Sequence, residues 1–353
     1  HMSVAKSDLA VFGGPAAKMV PYTKGLRFGP AEEEAAVAAI RSQKLWMKQG
    51  GTRVLAAEKT IRELWGAPHA IACSSGSAAL HLAVVVCGVE PGDEVILNPT
   101  TDWGTLCGLL AAGAVPVFAD VHPDTLSLDP ACVARALTPR TRAVMLVHHA
   151  GYPAHVREIV ALTAARGIKV IEDCAQSPLA MLDGRPLGTF GDVGTFSAND
   201  SKHVSCGEGG FVVLRDDEMA RLGRLFIDKA YEKNQVRGQT DVAFLGFNYR
   251  LSELSAAVLD VQLRGLREQI RRRTAYAERL MAGLGDVPGL RLIRLPAGAS
   301  GAFWFVLACL EPDRLSADRA TIAKALAAEG VSVWAALSPA NTLYGTTALR
   351  EKR

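Results

Sequence analysis

The sequence predicts an α/β protein: a mostly parallel sheet flanked by helices, followed by a smaller α+β domain. Two observations carry this. From about residue 60 to 215, short apolar runs alternate with helix-like segments, the pattern of strands buried on both faces and joined by crossover helices. After about residue 216 the alternation gives way to one long helical stretch and a short mixed tail.

In chain order, Cys73 to Leu80 opens a helix that runs to about Val86, and Glu94 to Leu97 reads as a buried strand. A helix follows over Pro130 to Leu137, a strand over Ala143 to Val147, a helix over Val156 to Arg166, and a strand over Lys169 to Ile171. Leu251, Leu254, Val258 and Val261 then recur at helical spacing, and an Arg-rich continuation reaches Leu284 before Gly285 to Pro288 breaks the pattern. The tail reads as a strand over Phe303 to Leu310, a helix over Ala317 to Ala328 and a strand over Val331 to Trp334. The expected division is an N-terminal segment 1–30, a large domain 31–265 and a small domain 266–353.

Composition removes several classes. Thirty-nine basic against 36 acidic residues leave a net charge of +3, too little to argue for nucleic acid or a membrane surface. Arg271, Arg272 and Arg273 read as a solvated helix face. Seven cysteines, an odd number with no CxxC pair, argue against a disulfide framework or a metal site and for a reducing cytoplasm. Apolar stretches such as Ala78 to Val86 are too short to span a bilayer, and His1-Met2 reads as a cloning remnant. The late string Gly283 to Gly289 follows no buried strand, so the dinucleotide fingerprint is missing.

Three segments carry candidate chemistry. Val170-Ile171-Glu172-Asp173-Cys174-Ala175-Gln176 ends a buried strand in an acid, which delivers a carboxylate to the ligand edge of the sheet; Asp173 could equally cap the next helix. Thr195 to Lys202, followed by Gly207-Glu208-Gly209-Gly210, lodges a lysine between a strand end and a glycine-rich turn. There an amine with a depressed pKa would condense with an aldehyde, although a solvated lysine in a polar hairpin fits the same residues. Cys73 to Leu80 exposes helix N-terminal N–H groups suited to a phosphate, or is a plain serine N-cap. Together, a phosphate cradle, a strand-end acid and a lysine are the parts that pyridoxal 5′-phosphate (PLP) requires.

At this point the chain resembles the DegT/DnrJ/EryC1/StrS family, sugar aminotransferases of fold type I. The resemblance is carried by Ser75-Gly76-Ser77-Ala78-Ala79-Leu80, Glu172 to Gln176, Phe196-Ser197 with Lys202 and Gly207 to Gly210, and Asn248 to Ala257, and it runs from about residue 25 to 340. It implies a seven-stranded, mostly parallel sheet. It also implies a ping-pong aminotransferase in which glutamate or glutamine gives its amino group to a keto sugar or keto-cyclitol. Lys202 would hold PLP as a Schiff base and shuttle protons. Asp173 would pair with the pyridine nitrogen, Gln176 would touch the phenolic oxygen, and Gly76, Ser77 and Ser197 would hold the phosphate. Asn248 would reach that phosphate from the neighbouring subunit of a homodimer. His203, beside the lysine, and Arg250 are candidates for substrate binding, and His148 or His149 fits a family position.

The chain departs from the family at the ring-stacking position. Ungapped matching puts Asp102 in the slot of the aromatic residue that stacks on the ring, with Trp103 one place later, so either Trp103 stacks after a local shift or the ring is covered differently. Two other readings stay open. Sugar dehydratases of the family carry His where Lys202 stands, and a PLP-binding regulator of the same fold would have lost turnover.

Overall fold

The computed structural model describes residues 8–22, 25–234, 239–334 and 342–351. They divide into two compact units. The larger is Phe28–Arg279 with Ile293–Val306; the smaller takes the described residues up to Arg27, Leu280–Leu292 and those from Leu307 onward.

The larger unit begins with α1 (Pro30–Arg41), α2 (Arg53–Trp65), β1 (His69–Cys73), α3 (Gly76–Val86), β2 (Glu94–Leu97), α4 (Trp103–Ala111) and β3 (Val115–Phe118). It continues with α5 (Pro130–Ala136), β4 (Thr141–Val147), α6 (Val156–Ala164), β5 (Lys169–Asp173), the short β6 (Met181–Leu182) and β7 (Arg185–Pro186), β8 (Val193–Ser197) and β9 (Gly210–Leu214). Then come α7 (Asp217–Phe226), β10 (Tyr231–Asn234), β11 (Gln239–Val242) and α8 (Glu253–Leu284), whose last residues belong to the smaller unit. Acidic side chains start several of these helices: Asp102, Asp129 and Asp216 each accept a first-turn N–H of the helix that follows, which satisfies a donor the helix itself cannot pair.

The main sheet has the seven expected strands in the order β1-β9-β8-β5-β4-β2-β3. Only β9 runs against its neighbours; β8, β5, β4, β2 and β3 pair in parallel. Strand alternation divides the burial between two faces. Ala70, Ala72, Val144, Leu146, Val170, Phe196 and Phe211 join Ile61 and Trp65 of α2 and Leu259 and Leu263 of α8 in one core. There Phe196 stacks on Phe211 at 4.7 Å, and Trp65 meets Phe196 edge-on at 4.7 Å. On the opposite face Ile71 lies against α7, where a Cβ on Gly223 would come within 2.8 Å of it, and α3 and α4 pack on each other and on the sheet.

The tail adds β12 (Leu290–Leu292), β13 (Ala299–Ser300), β14 (Ala308–Leu310), α9 (Arg319–Ala328) and α10 (Thr347–Arg350). The strand expected over Phe303–Leu310 is shorter, because its first half is used elsewhere. Ala302 N–H donates to Gly151 O (3.0 Å) and Trp304 N–H to Ala150 O (2.8 Å), which fixes this stretch on the larger unit, and only Ala308–Leu310 pairs with β12. Val331–Trp334 forms no strand. Among the described residues no helix is long and apolar enough to cross a membrane, and all seven cysteines are free.

Candidate active site

The site is built at the carboxyl ends of β1, β2, β4, β5 and β8, which all run in the same sense. Glu172 and Asp173 are the last residues of β5, so their side chains leave opposite faces of the sheet. Glu172 is fully buried. Its Oε1 accepts the N–H groups of Phe190 (2.7 Å) and Gly191 (2.6 Å); its Oε2 accepts Gly188 N–H (2.8 Å) and His148 Nε2–H (2.9 Å). His148 Nδ1 takes Ala154 N–H at 3.0 Å, which places the imidazole proton on Nε2. His148, Glu172 and Cys174 bring possible metal-ligand atoms within 4.8 Å of one another, but this carboxylate already has four donors. Its work is to hold the 188–191 loop.

Asp173 faces the other way. Its Oδ1 accepts Ala175 N–H at 3.0 Å, and its Oδ2 accepts the Thr105 hydroxyl at 2.9 Å. Burial pushes its pKa up; the Ala175 and Thr105 hydrogen bonds and then the positive charge of Lys202 oppose that push without cancelling it. Lys202 follows β8 and is half-buried. Burial lowers its pKa, with the carboxylates of Asp173 and Asp102 pulling it back. The acid and the amine predicted from separate segments therefore stand close enough to feel each other's charge.

Two further neighbours of Lys202 are Trp304, which came from no sequence motif, and His149, one of the two histidines matched to a family position. Trp304 presents its ring face 3.9 Å from Nζ, and its indole N–H is tied to Ser201 O at 3.1 Å. His149 has a buried Nδ1 with no hydrogen-bond partner among the described residues. Burial, and then repulsion from Lys202, lower its pKa from 6.5 to about 4. In the pH window between these values the unfolded chain takes up a proton that the folded chain refuses, so stability falls as pH drops from 6.5 towards 4. The expected loss attributable to this residue is about 3 kcal/mol. Chemical denaturation of PLP-free His149→Asn across that range should be less acid-sensitive than wild type; parallel pH curves would show that His149 does not carry the effect.

The phosphate end is set by close approach. A Cβ on Gly76 would sit 2.8 Å from Ser197 Cβ and 3.0 Å from Ser197 Oγ, so only glycine lets the start of α3 meet the end of β8. Ser75 caps α3 by accepting Ala78 N–H at 3.0 Å, while Ser77 is exposed at its first turn. A Cβ on Gly104 would come 3.1 Å from Ser77 Oγ, which brings the start of α4 alongside. Two helix N-termini thus adjoin at one place, an arrangement favourable to an anion. Asp102 caps α4 through Gly104 N–H at 2.8 Å, and Trp103 is the first helical residue, half-buried. Gln176 Oε1 accepts Ala150 N–H at 2.6 Å, which orients the carboxamide with its NH₂ as the group left to donate.

The remaining candidates are more dispersed. Asn248 is exposed, on backbone bridged to Asp228. Arg250 is ion-paired with Asp228, lies 5.6 Å from the Trp46 ring and is bridged by its backbone to Cys73. His203 is fully buried and its Nε2–H donates to Ala302 O at 3.0 Å, so it ties the segment beside Lys202 to residue 302.

Comparison with known proteins agrees with this arrangement. A profile of the DegT/DnrJ/EryC1/StrS aminotransferase family matches residues 29–347. The chain is 36% identical over 360 residues to an L-glutamine:2-deoxy-scyllo-inosose aminotransferase of Streptomyces kanamyceticus, covering 97% of this chain and 84% of that one. It is 33% identical to a putative L-glutamine:3-amino-2,3-dideoxy-scyllo-inosose aminotransferase of Streptoalloteichus tenebrarius, over 92% of this chain and 79% of the other. Among solved structures, the aminotransferase TlmJ from Streptoalloteichus hindustanus superposes with a TM-score of 0.81 at 32% identity, over 91% of this chain and 85% of that one.

Proposed function

The chain belongs to the DegT/DnrJ/EryC1/StrS aminotransferase family and is a PLP-dependent aminotransferase; we propose that it moves an amino group from L-glutamine to the ketone of a carbocyclic polyol. The observation that carries the reading is Lys202, a half-buried amine with a lowered pKa, coupled to a buried acid. The residues present fit the cofactor. The missing Cβ of Gly76 lets the start of α3 close on Ser197, which sets two small groups suited to a phosphate side by side; the strand-end acid is buried, and the orphaned His149 nitrogen shares the charge environment of Lys202.

When bound, PLP supplies the electron sink that lets a proton leave the carbon bearing the amine. The chain supplies the rest. Gly76, Ser77 and Ser197 would hold the phosphate, Gln176 would donate to the phenolic oxygen, and Trp103 would be the aromatic residue for the ring. Asp173 would hold the positive charge of the ring nitrogen. Lys202 Nζ, its pKa lowered by burial, would be the amine that holds the cofactor and the base that moves a proton at the substrate carbon. Trp304, with a flat face beside Nζ, suits the C–H face of a polyhydroxylated ring, and Arg250, paired with Asp228, would be the contact for polar groups of a substrate. The glutamine donor and cyclitol acceptor are those named for the relatives above.

A second copy of the chain completes the site in this reading. Leu45, Trp46, Tyr231, Leu245 and Phe247 are exposed at between 36% and 79%. They form one region, because Leu45 O accepts Glu253 N–H, Lys48 pairs with Asp228 and Phe247 O accepts Lys229 N–H. Such a patch is what a partner covers, and exposed Asn248 would then reach the phosphate of the neighbouring copy. The free cysteines suit the cytoplasm, where we place the reaction.

The test is an assay of PLP-loaded protein with L-glutamine and 2-deoxy-scyllo-inosose, with mass spectrometry of both products. We expect the 2-oxo acid of glutamine together with an aminated cyclitol. A deoxygenated product, or no 2-oxo acid from either glutamine or glutamate, would overturn the assignment.

A further inference from the structure

We propose that Thr105 is a positioning residue for the cofactor, the middle of a hydroxyl relay, Thr101 to Thr105 to Asp173, that fixes the carboxylate in the form and direction needed to receive a ring N–H. The inference rests on the reading of Asp173 given above. Thr105 lies one turn into α4, buried, and its hydroxyl reaches Asp173 Oδ2 at 2.9 Å across 68 residues of sequence. The same hydroxyl is 2.9 Å from Thr101 Oγ1.

Proton counting sets the polarity of this chain. A hydroxyl has one proton to give, and an ionised carboxylate only accepts. Thr105 therefore donates to Asp173 and must accept from Thr101. With Ala175 N–H on Oδ1, each carboxylate oxygen holds one donor and keeps one lone pair, which leaves room for a ring N–H. A relay running the opposite way would serve a protonated, neutral acid, which has no use for a pyridinium. Burial works towards that neutral acid, and the Thr105 bond works against it.

The backbone explains why these hydroxyls are available. The loop after β2 ends at Asp102, whose carbonyl already accepts Thr105 N–H at 3.1 Å. The first turn of α4 thus fixes Thr105 Cα and leaves its side chain to face the end of β5. Valine there keeps shape and volume and removes only the donor.

The experiment titrates PLP-free protein with PLP and reads the dissociation constant from the absorption change, with no substrate present. Losing one hydrogen bond to a buried charge should weaken PLP binding about tenfold in Thr105→Val. Thr105→Ser should return to within about twofold of wild type, since the hydroxyl alone is at issue, and Thr101→Val should fall between. Unchanged affinity in Thr105→Val, or equal weakness in Thr105→Val and Thr105→Ser, would overturn the relay. If circular dichroism shows that Thr105→Val does not fold, Thr101→Val decides, and wild-type affinity there counts against the proposal. Asp173→Asn is the reference arm. If it binds PLP like wild type, the reading of Asp173 fails and the relay with it; if it is weak while Thr105→Val is normal, only the relay fails.

Discussion

Lys202→Ala should lose the Schiff-base absorption of the PLP-loaded enzyme and lower turnover by at least about a thousandfold, since covalent capture and proton transfer both vanish. The environment of the residue is why no neighbour should substitute. Burial lowers the pKa of this amine and two carboxylates raise it, with burial the larger effect, so a greater share of Lys202 is neutral near pH 7 than of a solvated lysine. Lys48 and Lys169, by contrast, are committed to ion pairs with Asp228 and Asp192. Lys202→Arg is the sharper control: it keeps a cation beside Trp304 but cannot condense, and should be equally inactive. Borohydride reduction followed by peptide mass analysis should place the pyridoxyl label on residue 202 alone. A label at another lysine, or an unchanged absorption band in Lys202→Ala, would remove the residue from its role.

Much of this site was legible because its parts are local. The acid at the end of a buried strand, the lysine before a glycine turn and the serine-capped helix each sit in a short window, and β2, α3 and β5 fall where period and capping put them. What sequence could not supply was whatever depends on two distant segments meeting. Thr105 touches Asp173 only because the first turn of α4 meets the end of β5. Trp304 reaches Lys202 only because the 302–304 backbone bonds to Ala150 and Gly151. At Gly151 (φ 94°) a Cβ would meet Phe303 N at 2.4 Å, a constraint invisible until the partner strand is known. Glu172 shows the same limit. It is next to Asp173 in sequence, yet alternation sends it to the other face, where four N–H donors occupy it.

Asp102 illustrates a partial success. Sequence comparison singles it out as a departure from an aromatic slot, and the structure gives the local reason: a carboxylate at the start of α4 caps Gly104 N–H, which an aromatic ring does not do. The consequence reaches further than the cap. That carboxylate is one of the two that oppose the fall in the Lys202 pKa, so the departure adds negative charge where the amine works.

Asp173→Asn should separate stability from function by moving them in opposite directions. The substitution keeps the shape. Its amide oxygen can accept Ala175 N–H, and its NH₂ can donate to Thr105, whose own proton then turns to Thr101, so no buried polar group is stranded. What disappears is a charge that burial makes costly: with its folded pKa raised, Asp173 supports folding in acid and costs stability as pH rises through the folded value. At neutral pH the PLP-free variant should therefore melt no lower than wild type. The PLP complex should suffer instead, because the ring nitrogen loses its counter-charge in a buried place. Breaking such a pair costs about 3–5 kcal/mol, or roughly two to four orders of magnitude in cofactor affinity and turnover combined. Thermal melts of PLP-free and PLP-loaded protein, beside the PLP titration, check both halves. A lower melting temperature in the PLP-free variant would make Asp173 a structural residue, and undiminished affinity would take the ring nitrogen away from it.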